Sequence, residues 1–187
     1  MMIALPTDLK RIVAAFAVVA IFCLPATAGS ERLDTLLARL SEAGPGEARK
    51  VAAEIEMEWS KSGSPAMDLL LQRGEDAIEV GEFGAAIEHL SALTDHAPRF
   101  AEAWHLRSVA FFRQERYGLA LADIRRALVL EPRHFNVIYG LGVLLDEMGR
   151  YELAYDAFSR VLAIHPHHEN AFSARERVAR ELGGAEL

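Results

Sequence analysis

The sequence predicts an all-α solenoid of antiparallel helix pairs with capping helices at its N- and C-terminal ends. Pro98, Pro132 and Pro166 stand 34 residues apart. The same interval carries Ala86, Ala120 and Ala154, the aromatics Phe83, Tyr117 and Tyr151, the large apolar Leu90, Ile124 and Phe158, and the small Gly74, Ser108 and Gly142. Between the prolines, Trp104, Phe111, Ala120, Ile124 and Ala127 recur at helical spacing within 101–114 and 117–130. One period shared by several residue classes marks a repeat array. Each unit of such an array buries its apolar face only by stacking on its neighbours.

The first element is of another kind. Lys10 and Arg11 precede an apolar run from Ile12 to Leu24, followed by Pro25-Ala26-Thr27-Ala28. A basic region, a short apolar core and a small-x-small site together predict a signal peptide over 1–28, cut after Ala28. The run is short beside the ~20 residues of a membrane span. An uncleaved anchor is the alternative, and it is the one membrane contact expected. Cys23 is preceded by Phe22 rather than a small residue, so it reads as a member of the apolar core and leaves with the peptide. The chain's single cysteine then leaves no disulfide and no thiol nucleophile in the mature protein. Stability must come from packing.

Residues 31–43 and 46–60 read as two helices around Gly44-Pro45-Gly46, a strong turn signal. Counting back by one period puts Leu36 and Ala52 in repeat columns, but Ser64 stands where a proline belongs. The segment 31–64 is therefore expected to be a degenerate capping pair, with Trp59 packed on the first full repeat. Ser64-Pro65 supplies an N-cap and a first-turn proline for the next helix.

Three units follow, at 67–100, 101–134 and 135–168. In each, a small residue on the first helix (Gly74, Ser108, Gly142) and an alanine on the second allow close approach of the two axes. Gly81 and Gly149 sit in the turns between helices, where a left-handed conformation costs glycine nothing. Glu115 takes that place in the middle unit, so its turn is expected to close differently. The prolines end each second helix, because proline lacks the donor a continuing helix needs. A last helix over 169–182 is expected to turn Phe172 and Val178 inward and to end at Gly183-Gly184.

With these columns in place, the chain resembles the tetratricopeptide repeat family. The middle unit matches best, through Ala101, Trp104, Phe111, Tyr117, Ala120, Ala127 and Pro132. It departs at Arg107 and Ser108, where leucine and glycine are commoner; Leu141 and Gly142 restore both. The first unit has Leu70 for the tryptophan and Leu93 for the last alanine. The resemblance implies a right-handed stack whose concave face, lined by the first helices, holds peptides. Carried over residue by residue, that face comprises Leu71, Glu75, Ile78 and Glu79, then His105, Val109, Phe112 and Arg113, then Tyr139, Val143 and Asp146, with Ser173 and Arg177 extending the line. Phe111 already fills the buried column, so Phe112 is expected to present its ring, and with Tyr139 to anchor a partner. The lysine and asparagine arrangement by which some members clamp a C-terminal carboxylate is missing.

Composition bounds the partner. The chain has 20 basic and 27 acidic residues; less Lys10, Arg11 and Asp8 these become 18 and 26, a net charge of −8. Nucleic acid calls for a concentrated basic face, and the basic residues here are scattered. An apolar and mostly acidic groove suits a segment with apolar and some basic side chains. His165-Pro166-His167-His168 offers closely spaced imidazoles, but it falls in an inter-repeat turn where polar residues are expected. A metal protein through these histidines is the minor alternative, and no cofactor is expected. His96 and His134 read as solvated or capping residues. Asp95-His96 beside Ser91 lacks the geometry of a triad, and no enzyme is expected. The leading expectation is an exported interaction module of the bacterial envelope, periplasmic where the cell has two membranes. Self-association through the solenoid ends or the aromatic strip, as a homodimer, is the competing reading.

Overall fold

A computed structural model describes residues 27–184. Among them are nine helices: α1 Thr27–Glu42, α2 Pro45–Trp59, α3 Pro65–Glu79, α4 Phe83–His96, α5 Ala101–Arg113, α6 Tyr117–Leu130, α7 Phe135–Glu147, α8 Tyr151–Ile164 and α9 Glu169–Gly184. No strand and no cis peptide occurs among the described residues. The apolar run at 12–24 lies outside them. None of the described helices is long and apolar enough to cross a membrane.

The helix pairs α3–α4, α5–α6 and α7–α8 form because the predicted columns meet. A Cβ placed on Gly74 would lie 2.6 Å from Leu90 Cγ, and one on Gly142 would lie 2.5 Å from Phe158 Cε1. Glycine is thus required by the large residue it faces. Ser108 fits in the middle pair and its hydroxyl donates to the His105 carbonyl at 2.6 Å. The alanines 86, 120 and 154 are fully buried.

The turns correct one expectation. Gly81 and Gly149 have φ of 82° and 68°, and Glu115 has φ of 60°. The backbone bonds match as well: Glu82 N–H to Ala77 O, Arg116 N–H to Phe111 O and Arg150 N–H to Leu145 O, at 2.8–2.9 Å. The middle turn therefore closes like the others, with a glutamate held in a conformation that favours glycine. Array geometry overrides local preference there.

Arg107, the departure from the family pattern, is also explained. Its guanidinium grips Asp123 on α6 through Nε at 2.7 Å and a second nitrogen at 2.9 Å, and donates to Thr94 Oγ1 at 2.8 Å. It also lies 4.8 Å from the Trp104 ring centroid. A charged network replaces an apolar contact, and it ties α4, α5 and α6 together.

The N-terminal hairpin differs most from expectation. Its core residues Leu36, Leu37, Leu40, Val51, Ile55 and Trp59 belong to one buried cluster with Phe135, Ile138, Phe158, Val161, Ala171 and Val178. The first unit has a separate core around Leu71, Leu90, Leu93 and Ala103. Trp59 stacks on His134 at 3.8 Å and tilts against Phe135 at 4.9 Å. It does not pack on the first unit. Asn136 donates to Glu56 at 2.9 Å, and Arg133 pairs with Asp34 and Arg49 with Glu169. The hairpin therefore folds back along the edge of the array, over the third unit from its junction with the second to the start of α9. The linker permits this reversal. Gly63 has φ of 81°, and the Ser62 N–H and hydroxyl both donate to Asp68. The Ser64 side chain makes no cap bond, though Pro65 opens the helix. Leu69 and Val80 stay exposed at the end the hairpin was expected to cover.

The last helix is shifted from its predicted face. Val178 is fully buried, but Phe172 is 52% exposed and Ala171 takes the inward place. The tryptophan column packs against a unit's own second helix, and α9 is the last helix described.

Candidate functional site

The residues that the family pattern assigns to the concave face fall into three groups. Leu71 is only 3% exposed and belongs to the first unit's core. It is a packing residue, because Ala103 of the next first helix closes over the same cluster. Glu75 is exposed and Ile78 half-buried. Val109 and Phe112 are half-buried and Arg113 is exposed, its guanidinium 4.8 Å from the Phe83 ring centroid. Phe112 leans on Tyr117 with ring centroids 5.6 Å apart. These side chains form the open part of the first-helix face.

Tyr139 and Val143 are half-buried against the cluster that contains the hairpin. The Tyr139 ring lies 5.1 Å from His168 and 5.7 Å from Phe158. Phe112 and Tyr139 thus rest on different clusters, and among the described residues no ring contact joins them. Asp146 is bound by both terminal nitrogens of Arg177. This pair ties α7 to α9, and it raises the Arg177 pKa through the Asp146 hydrogen bond. Ser173 is exposed.

At the other end of the face lies a polar cluster that periodicity did not disclose. Glu102 and His105 lie three apart on one side of α5, and His134 sits just before α7. Glu102 accepts from His134 Nε2 at 2.7 Å and faces His105 Nδ1 at 3.0 Å. His134 is 1% exposed, so it is not the solvated residue its position predicts. Burial alone would raise the Glu102 pKa, but the adjacent imidazoles outweigh it and hold the carboxyl well below the usual range. Burial pushes His134 down, against the pull of Glu102. The Glu-x-x-His spacing was legible at 102–105. The partner 32 positions on is brought to Glu102 by the turn between α6 and α7, where the Trp59 ring stacks on it.

The histidines of the last inter-repeat turn do not converge on a common point. His168 Nδ1 accepts from the Ala171 N–H at 3.1 Å and caps α9. His165 is buried beside Phe135, and burial with its histidine neighbours pushes its pKa down to about 4. Between this turn and α2 runs an open cleft of about 890 Å³, with Arg49, Glu56, His167 and Phe172 on its walls.

The face is acidic at its first-unit end, beside Glu75 and Glu102. Glu75 has a raised pKa, first through burial and then through the carboxylates of Glu102 and Asp76.

Comparison with known proteins agrees with the geometry. The family profile described as tetratricopeptide repeat matches residues 71–134 and 110–169. A TPR repeat-containing protein of Rhizobium etli is 36% identical over 120 residues, covering 64% of this chain and 59% of that protein. The chain thus spans about three fifths of that relative's length. Among solved structures, the first TPR domain of Spaghetti (RPAP3) bound to an HSP90 peptide superposes with a TM-score of 0.61. It is 20% identical, over 63% of this chain and 93% of the other. The TPR2B domain of yeast Sti1 in its Hsp70 complex gives 0.59 at 13% identity, over 63% and 99%. At such identities the likeness is one of fold. Because the profile covers more than half of the chain and three helix pairs repeat the same contacts, this protein belongs to the tetratricopeptide repeat family.

Proposed function

We propose that the protein is a non-catalytic protein-interaction scaffold that binds a peptide segment of its partner on the open first-helix face. The supporting observation is the run from Glu75 and Ile78 through Val109, Phe112 and Arg113. These side chains stay open or half-open while the small, alanine and large apolar columns that join the helices (74/108/142, 86/120/154 and 90/124/158) are buried. Spaghetti and Sti1, which share the fold, are seen with HSP90 and Hsp70 partners; that supports the binding mode and leaves the ligand of this chain to its own chemistry. A half-exposed ring between aliphatic and charged neighbours is the anatomy of an anchor site. The mutual repulsion of Glu75, Asp76 and Glu102 favours basic side chains in the ligand. The expected ligand is an extended or helical segment with apolar and some basic residues.

Screening of a peptide display library against the purified chain tests this reading. Enriched peptides should carry an apolar residue flanked by lysine or arginine. Phe112→Ala should weaken their binding by about 2 kcal/mol or more, roughly thirtyfold. Arg125→Ala with Arg126→Ala, on the second helix, should leave binding within about twofold. Equal losses from both sets would sink the assignment of this face. The site of action we propose is the bacterial envelope, reached through cleavage after Ala28. Intact mass of the protein recovered from envelope fractions checks that cut; a mass retaining Met1 to Ala28 would make it an anchored scaffold.

A further inference from the structure

Glu102, His105 and His134 present one carboxylate and two imidazole donors whose ligand atoms all lie within 4.8 Å of one another. We propose that they form a binding site for a divalent zinc-type cation, set at the junction between the array and the N-terminal hairpin. Two imidazoles and a carboxylate are a donor set that first-row divalent ions of borderline softness prefer. Zinc holds such atoms at about 2.0–2.2 Å, which places donors roughly 3.3 Å from one another. The contacts of 3.0 and 2.7 Å in the structure need to open by about 0.3–0.6 Å, and the two imidazole donors, within 4.8 Å of each other, need to close toward the same spacing.

The cluster is built like a site rather than a chance surface grouping. Glu102 and His105 share one side of α5 through their three-residue spacing. The His134 ring is clamped in place by the stack with Trp59. The His134 Nδ1 atom is buried without a partner, so the ring is positioned by packing and by its Nε2 contact alone. Side-chain exposures of 11% for Glu102 and 13% for His105 leave an edge by which an ion can enter and a water can complete the coordination. An ionised carboxylate and an uncharged imidazole are the forms in which these groups ligate. A bound cation would replace two hydrogen bonds with bonds to a common centre, the His134 proton passing from Nε2 to Nδ1 so that the Nε2 lone pair is free to ligate, and would join α5 and the start of α7 beneath the hairpin's Trp59.

The test uses the chain without a histidine tag, stripped with a chelator and titrated with Zn²⁺ against a chromophoric competitor; Co²⁺ serves as a visible-absorption probe. One equivalent per chain is expected. Glu102→Gln and His105→Asn should each weaken binding by about a hundredfold or more and change the Co²⁺ bands. His167→Asn and His96→Asn should bind as the parent does. His105→Asn sits at the open edge, so circular dichroism should show it folded even if His134→Asn fails to fold. Binding well below one equivalent overturns the proposal. So does binding that survives His105→Asn but is lost in His167→Asn, which would move the ion to the last inter-repeat turn.

Discussion

Glu115 shows how an array can impose a conformation on a residue that does not favour it. Its neighbours on both sides are fixed by helices α5 and α6, and the Arg116 N–H must still reach the Phe111 carbonyl at 2.9 Å. Only a left-handed residue connects the two, so glutamate takes φ of 60°. That conformation costs a residue with a Cβ about 1–2 kcal/mol, while glycine pays in unfolded-state entropy about 0.5–1 kcal/mol. Glu115→Gly should therefore stabilise the protein by about 0.5–1 kcal/mol, read as a rise in the urea midpoint at unchanged m value. A neutral or destabilising result would mean that the carboxylate contributes in the folded state. Arg107 teaches a related lesson. The position looks like a flaw in an apolar column, yet its fork satisfies both oxygens of buried Asp123. Removing one member of such a pair leaves an uncompensated charge.

Within one helix pair, the decisive quantity is the distance between axes. The small residue of the first helix and the large residue of the second are complementary, and Gly142 against Phe158 is the tightest case. A methyl group on Gly142 would overlap the ring at 2.5 Å, and the ring is fully buried on all sides. Gly142→Ala should destabilise by roughly 1–3 kcal/mol through overpacking, despite alanine's better helix propensity. Adding Phe158→Leu should recover part of that loss. Chemical denaturation of the two single variants and the double variant reads the coupling directly. Additive effects would show that the two residues do not meet as described.

Across the whole molecule, the hairpin's docking surface is sensitive to acid. His165 lies under the hairpin beside Phe135, and its pKa is pushed from 6.5 down to about 4 by burial and by its histidine neighbours. Burial also lowers His168. For a group with a depressed folded-state pKa, the unfolded chain binds the proton first. Stability from these histidines is fully present above about pH 6.5 and is lost progressively as pH falls toward about 4. Urea midpoints measured from pH 7.5 to 4.5 should decline through that window. His165→Gln should flatten the decline while lowering the value at neutral pH. A flat profile in the parent protein would mean that His165 is hydrated rather than packed.

Helix number, the ends of the helices inside the array, repeat register and family were written in the sequence, because they rest on interactions between residues within one period; the outermost helices run further, from Thr27 and through Gly184. Close approach demands small residues at 74, 108 and 142, and each second helix demands a stop. The same local logic placed Phe112 outside the buried column filled by Phe111. It misplaced Leu71 and Phe172, since their burial depends on which helix comes next in space. The tertiary structure alone decided where the hairpin goes. Its apolar faces at Leu36, Leu40, Val51 and Ile55 suit either end of the array, and periodicity cannot choose between equivalent surfaces. The choice falls to singular residues: Trp59 finds His134, Asp34 finds Arg133 and Glu56 finds Asn136. The Glu102–His105–His134 cluster joins neighbouring units, and the hairpin's Trp59 clamps its third member, which stands in the turn before α7. Repeats specify neighbours; contacts between non-neighbours depend on side chains that do not repeat.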